Sequence, residues 1–314
     1  MMKYSLLSVI IGGVISFETF KSDYFQFSLI DKFLTFAFFV VVPLVIKLLD
    51  KNVQSSIQQK FLQYITILQF PAALLSLGSL MSNKTWELNN PMLFGLLSLG
   101  WLLLTFLLAL YGVLLILEKK KNVEEIAIGA GLIYFFIGGV WYTLYQFQVT
   151  FLHVDPKISA LSSVHFHYSS AIVPIFIGML GRIWVKKSWY NWLVGIDIAG
   201  PILIAFGIIF SKWIENMGVI IFACNITIYN TYLLLKMRKH FEQNAGKLCL
   251  TLSSLAFYCI VALSAFYPLA RRFYSITILD MIPIYGSLHA FGFVLFGLIG
   301  WIIVMSGNLR KQAE

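Results

Sequence analysis

Apolar runs of about twenty residues, set off by charged breaks, recur from one end of this chain to the other, and no other feature narrows its possible folds so far. At 1.5 Å per helical residue each run is long enough to cross about 30 Å of hydrocarbon. Ten spans are expected, at 4–20, 30–49, 61–81, 92–117, 126–148, 161–183, 190–210, 217–236, 248–270 and 281–305. Residues are 59% hydrophobic and only 12% charged, against roughly 25% charged in soluble domains, so no sizeable aqueous core is available. The expected fold is all-α: a polytopic transmembrane helix bundle forming a single integral membrane domain over residues 1–314. The opening "MMKYSLLSVIIGGVISFETF" has the charge and apolar core of a signal peptide but no small-x-small cleavage site, and reads as the first helix.

Charge provides an independent check on the span count. The net charge of +9 would suggest nucleic acid in a soluble protein, but lysine and arginine flanking membrane helices set topology, so no nucleic-acid partner is expected. With the N-terminus cytoplasmic, 16 of the 23 basic residues fall on the inner side and 7 on the outer. A missed or invented span would swap the downstream loops and blur that bias, so ten helices with both termini inside is the consistent arrangement. Connections are short, which leaves the lipid bilayer as the obvious partner and no room for an extramembrane domain. Cys224, Cys249 and Cys259 lie within apolar runs at spacings that suggest neither a disulfide framework nor a zinc site. Phosphate loops, nucleophile elbows, zinc-protease helices and dinucleotide fingerprints are all absent from the sequence.

Polar side chains gather where hydrocarbon should exclude them. In "SSVHFHYSS", Ser162, His165 and Ser169 form one helical stripe and Ser163, His167 and Ser170 another, with the two histidines about 200° apart. Together the stripes cover half the circumference, which places the sixth span inside the bundle against other helices or a wet cavity. Pro174 and Pro201 each leave a carbonyl without its usual partner, those of Ser170 and Asp197, as in the discontinuous helices of transport sites. Asp197 is the acidic residue deepest within an apolar run, at a cost of about 2.5–3.5 kcal/mol. Hydrocarbon disfavours its anion, which makes it a candidate proton carrier. In the last span, Gly286, Ala290, Gly297 and Gly300 form a small-residue face with Phe293, and His289 sits at its edge. His165, His167 and His289 all fall about 6–12 Å below the outer surface. The aromatic-rich "YFFIGGVWYTLYQF" reads as an interface belt, with a cavity lining as the alternative.

At "SSVHFHYSSAIVPIFIG" and "YGSLHAFGFVLFGLIGW" the sequence resembles the YndJ-like family of bacterial membrane proteins. His165 and His167 match that family's "VHFHYAG" segment. Gly286, Ala290, Gly292 and Phe293 match its later "HGxxNAxGF" segment, with Tyr285 in place of the histidine and His289 in place of the asparagine. The resemblance implies a multi-pass protein of the bacterial cytoplasmic membrane, with transport as the loosely assigned role.

The leading expectation is a small-solute or ion transporter, proton-coupled through Asp197, with a pathway formed by His165, His167, Ser169, Ser170, Asp197 and His289. Two alternatives stand beside it. One is an intramembrane haem or metal redox enzyme with a histidine of the sixth span and His289 as axial ligands. The other is an enzyme acting on a lipid or isoprenoid with Asp197 as acid. The sequence itself specifies no cofactor and no metal-ligand motif.

Overall fold

Every one of the ten apolar runs folds as a helix. The computed structural model describes residues 2–50, 55–84, 90–118, 122–184, 187–273 and 278–313. Lys51, Lys119, Lys120, Lys121 and Lys186, which contribute to the charge bias, lie outside the described residues. The helices are α1 (Met2–Lys21), α2 (Leu29–Asp50), α3 (Ser56–Lys84), α4 (Pro91–Glu118) and α5 (Val123–Gln146), then α6 (Pro156–Ile183), α7 (Ser188–Phe210), α8 (Lys212–His240), α9 (Asn244–Phe273) and α10 (Ile282–Gly307). Nine helices among the described residues, α2 to α10, have the length and hydropathy to cross a membrane. The chain divides into two compact units, Met1–Arg182 and Ile183–Glu314.

The first unit is built around α2 and α6, each with 83% of its apolar window inside. The run Phe-Ala-Phe-Phe-Val-Val-Val in α2 is apolar on every side, as expected of a helix enclosed by others. A reciprocal capping box starts α2: Ser28 Oγ accepts from the Asp31 amide, and the Asp31 carboxylate accepts from the Ser28 amide. Both central helices widen by one residue, at 37–41 and at 166–170, where the N–H groups of Val42 and Ala171 reach back five residues to Ala37 and Phe166. By contrast, α1 presents Leu7, Ile10, Val14 and Phe17 outward, and its Gly12 packs directly on the backbone of Phe39.

Small residues set the closest helix contacts. Gly112 of α4 and Gly129 of α5 face each other so closely that a Cβ on either would lie 2.5–2.6 Å from the other's carbonyl oxygen. The helix ends pair as an up-and-down order requires. At one end Tyr145 of α5 bonds Asp31 of α2, and Ser79 of α3 bonds the Phe94 carbonyl of α4. At the other, Gln58 of α3 bonds Glu118 of α4, and Arg182 of α6 forms a two-pronged, buried ion pair with Glu125 of α5 at 2.7 and 2.8 Å. These two ends coincide with the outer and inner sides assigned from charge.

In the second unit α7 packs on α8, with Gly200 under the Phe222 ring and Asn225 Nδ2 donating to the Leu193 carbonyl at 2.9 Å. The small-residue face of α10 lies against α9. Gly300 meets Leu250 and Ser253 Oγ donates to the Phe293 carbonyl at 2.7 Å, while Gly292, outside that face, meets Ala256.

Two expectations change. Helix continues through Pro174 and Pro201, so neither proline marks an unwound segment; in α6 the widened turn ends at Ser170, four residues before the ring. The aromatic residues of α5 are also not an interface belt. Tyr134, Phe135, Tyr142 and Tyr145 are buried, the last two tied to other helices by their hydroxyls. Belt geometry belongs instead to exposed Tyr24, Trp192 and Trp213 near helix ends.

Replacing Gly129 by valine forces α4 and α5 apart and is expected to cost about 1–3 kcal/mol in unfolding measurements on detergent-solubilised protein. Gly13→Ala, with nothing within 4 Å of the added methyl, should leave stability unchanged or slightly raised.

Candidate functional site

His167 is the centre of a buried polar network in the first unit. Its Nδ1–H donates to the Ser163 carbonyl at 2.8 Å and its Nε2 accepts from the Trp101 indole N–H at 2.9 Å, which fixes the tautomer. Phe38, Trp101 and Phe135 enclose the ring with centroids 5.8–5.9 Å away, and Gly138 lies so close that a Cβ there would sit 2.7 Å from Nδ1. Ser163 Oγ donates to the Gly138 carbonyl at 2.9 Å, locking α6 to α5 one turn before the histidine. Both ring nitrogens are therefore engaged, and neither presents a lone pair to a metal or haem without rearrangement.

The same logic extends outward through the unit. Tyr168 donates to the Phe33 carbonyl at 2.7 Å and Tyr142 to the Ser76 carbonyl at 2.9 Å. Gln69 spans three helices: its Nε2 donates to the carbonyl of Phe38, inside the widened turn of α2, while its Oε1 accepts from Ser8 of α1. The carbonyl there is held by a side chain from another helix, the arrangement that lets irregular backbone persist at membrane depth.

Some buried groups are not so held. Ser170 Oγ and Thr143 Oγ1 are buried without a hydrogen-bond partner, and the buried Gln146 amide lies against the Tyr142 hydroxyl without a well-formed bond. Thr143 and Gln146 lie on one face of α5, three residues apart, near the outer end where Asp31, Tyr142 and Tyr145 meet. Such groups are satisfied by a neighbouring protein group, water or a ligand, since lipid offers them nothing.

The remaining site residues divide by environment. His165 and His167 diverge as their spacing requires, but His165 is exposed, its ring edge-on to Phe166, and only the second stripe (Ser163, His167, Ser170) is buried. Ser169 is half-buried. Asp197 and His289 belong to the second unit. Asp197 is fully buried and neither carboxyl oxygen has a hydrogen-bond partner; within electrostatic range is Tyr229, whose hydroxyl accepts from Trp301 Nε1 at 3.2 Å. His289 is half-buried, stacked on Tyr285 one turn before it and edge-on to Phe293. Among the described residues no three of His, Cys, Asp and Glu gather as a metal-ligand set.

Sequence reasoning missed Asp31, Trp101 and Gln146. Asp31 could have been found from Ser28-x-x-Asp31, a capping-box spacing just ahead of an apolar run. Trp101 carries no such signal, because an indole in an apolar helix reads the same whether it faces lipid or a histidine.

Comparison with known proteins adds the following. The family described as "YndJ-like protein" matches residues 32–293, a range that holds all the residues of the site except Ser8, Ser28, Asp31 and Trp301. The chain is 35% identical over 210 residues to "Uncharacterized membrane protein YndJ" of Bacillus subtilis (strain 168), a match covering 66% of this chain and 38% of the relative. The chain thus spans well under half the length of that relative. No solved structure matches.

Trp101→Phe removes the indole donor bonded to His167 Nε2 and is expected to lower unfolding free energy by about 1–3 kcal/mol. His165→Ala, at an exposed position, should stay within about 0.5 kcal/mol in the same denaturation assay.

Proposed function

The chain belongs to the YndJ-like protein family and is a multi-pass membrane protein, and on that footing we propose that it is a small-solute or ion transporter of the cell membrane, coupled to proton movement. The observation that carries this reading is Asp197, a carboxyl group wholly enclosed in an apolar helix with no hydrogen-bond partner on either oxygen. A purely structural carboxyl at that depth would be expected to bond a neighbouring helix, because an unsatisfied buried polar group costs about 1–3 kcal/mol or more. A carrier must instead gain and lose a proton during the cycle, and an unbonded carboxyl is ready for that exchange. The Tyr229 hydroxyl is the nearby group suited to steady the carboxylate once its proton has left.

The other expected residues take different parts, each within its own unit. Ser170 offers a buried hydroxyl to a passing polar group, and Ser169 flanks it on the same turn. His167, held by two hydrogen bonds, is a fixed wall and not a moving ligand. His165 lies on the outward side of α6 and His289 is half-buried on α10, each a candidate contact for solute within its own unit.

The test is proton flux in liposomes of phosphatidylglycerol and phosphatidylethanolamine with a pH-sensitive dye inside. Sodium, potassium, magnesium, calcium and a panel of small organic acids and amines are added outside in turn. At least one should drive proton movement by the wild-type protein, and Asp197→Asn, reconstituted to the same density, should slow it at least tenfold. Wild-type rates in Asp197→Asn would remove the carrier role, and the absence of proton flux with every solute would remove the coupled-transport reading.

A further inference from the structure

A groove of about 390 Å³ opens in the second unit at the junction of α7 and α8, lined by Trp189, Thr227, Ile228, Thr231, Tyr232, Leu235 and Lys236. Its two ends differ in chemistry. Ile228 and Leu235 are 52% and 67% exposed and supply an apolar floor along α8. One wall is aromatic: the rings of Trp189 and Tyr232 lie 5.0 Å apart, backed by Trp184 at 5.5 and 4.7 Å from them. The threonine hydroxyls turn back on their own helix, Thr227 to the Ala223 carbonyl and Thr231 to that of Thr227, so their methyl groups are left to line the groove. Thr231 also bonds Tyr258 of α9, which fixes the floor from behind.

At its other end the groove closes on Lys236, an exposed lysine in the widened last turn of α8. Arg238 and Lys239 follow on the succeeding tight turn, and Lys187 stands two residues before Trp189; all three are exposed. Lys236 thus stands at the end of a furrow that is apolar for the rest of its length, with three more exposed cations close to it or to Trp189 in the chain, on the side where the charge bias puts the cytoplasm. The occupant that matches is amphipathic, with a hydrocarbon tail and an anionic head at interface depth. The aromatic wall stands at the boundary, where indole and phenol rings favour the glycerol and headgroup region. A folded protein partner would have to enter at membrane depth with a matching acidic tip, and a free anion would leave the apolar floor exposed.

We propose that this groove is a specific site for one anionic glycerophospholipid of the cytoplasmic leaflet, its acyl chain along Ile228 and Leu235 and its phosphate on Lys236. The site does not depend on the transport reading, and its test does not measure flux.

The experiment is native mass spectrometry of the purified full chain titrated with phosphatidylglycerol or with phosphatidylcholine of the same acyl chains. One phosphatidylglycerol should survive collisional activation that strips phosphatidylcholine. Lys236→Ala should reduce that occupancy about fivefold, the contribution of one interfacial charge, and Lys236→Arg should restore it. Lys212→Ala, whose lysine pairs with Glu215 at the far end of α8, should leave it unchanged. Adding inorganic phosphate separates the sources of the anion: retention of the lipid in its excess supports the groove, whereas displacement marks a bare anion site and overturns it. Equal retention of the two lipids, or wild-type occupancy in Lys236→Ala, would likewise overturn it. Thermal unfolding of each variant without added lipid, compared with wild type, separates loss of the site from loss of the fold.

Discussion

Side-chain donors bonded to backbone carbonyls of other helices are what the first unit depends on. Hydrocarbon exerts no hydrophobic force between helices and offers nothing to a stray polar group, so association rests on close packing and on satisfying polar groups internally. Tyr142, Tyr168, Ser79, Ser163 and Gln69 each reach a carbonyl on a neighbouring helix, at 2.7–2.9 Å. Each bond fixes the rotation of one helix against another as well as its distance, which apolar contact alone does poorly. The glycine contacts then bring backbones near enough for these reaches to close, as Gly138 does beneath His167.

Beside these bonded groups stand others that are buried and unbonded. Asp197, Ser170 and Thr143 are as deeply enclosed as the residues that hold the bundle together, yet lack partners, as do Ser16, Ser254 and Asn230 Oδ1. That contrast, more than the presence of histidine or aspartate in an apolar segment, separates residues suited to function from residues suited to holding the structure. His167 illustrates the distinction, since by composition it was the foremost ligand candidate and by geometry it is a bracket between α4 and α6.

The helices were legible because the membrane imposes a single length and a single composition on every span, and ten apolar runs return ten helices. The central position of α6 was legible too, since a ring of serines and histidines has no place facing lipid. What escaped was which polar group meets which. His165 and His167 read alike in sequence, but only the three-dimensional partners, Trp101 and Gly138, decide that one is buried and the other exposed. Proline was over-read: a missing N–H implies a break only if the chain cannot widen or rely on a neighbour, and both helices remain continuous. The tyrosines of α5 were under-read, because an aromatic-rich segment carries no mark of which side its hydroxyls will face.

The widened turn at 166–170 has a geometric result for α6 as a whole. Holding one residue more than a regular turn, it offsets the register of everything after it by about 100° relative to everything before. The outer half, with Ser163 and His167, and the inner half, ending in Arg182, therefore answer to separate angular phases on one continuous rod. Loss of a single residue within the turn would return it to a regular one and leave the two halves in their present orientation, whereas loss of a residue elsewhere along the rod would swing one half about its axis by about 100°, so this turn is the place where the helix can absorb a change of length.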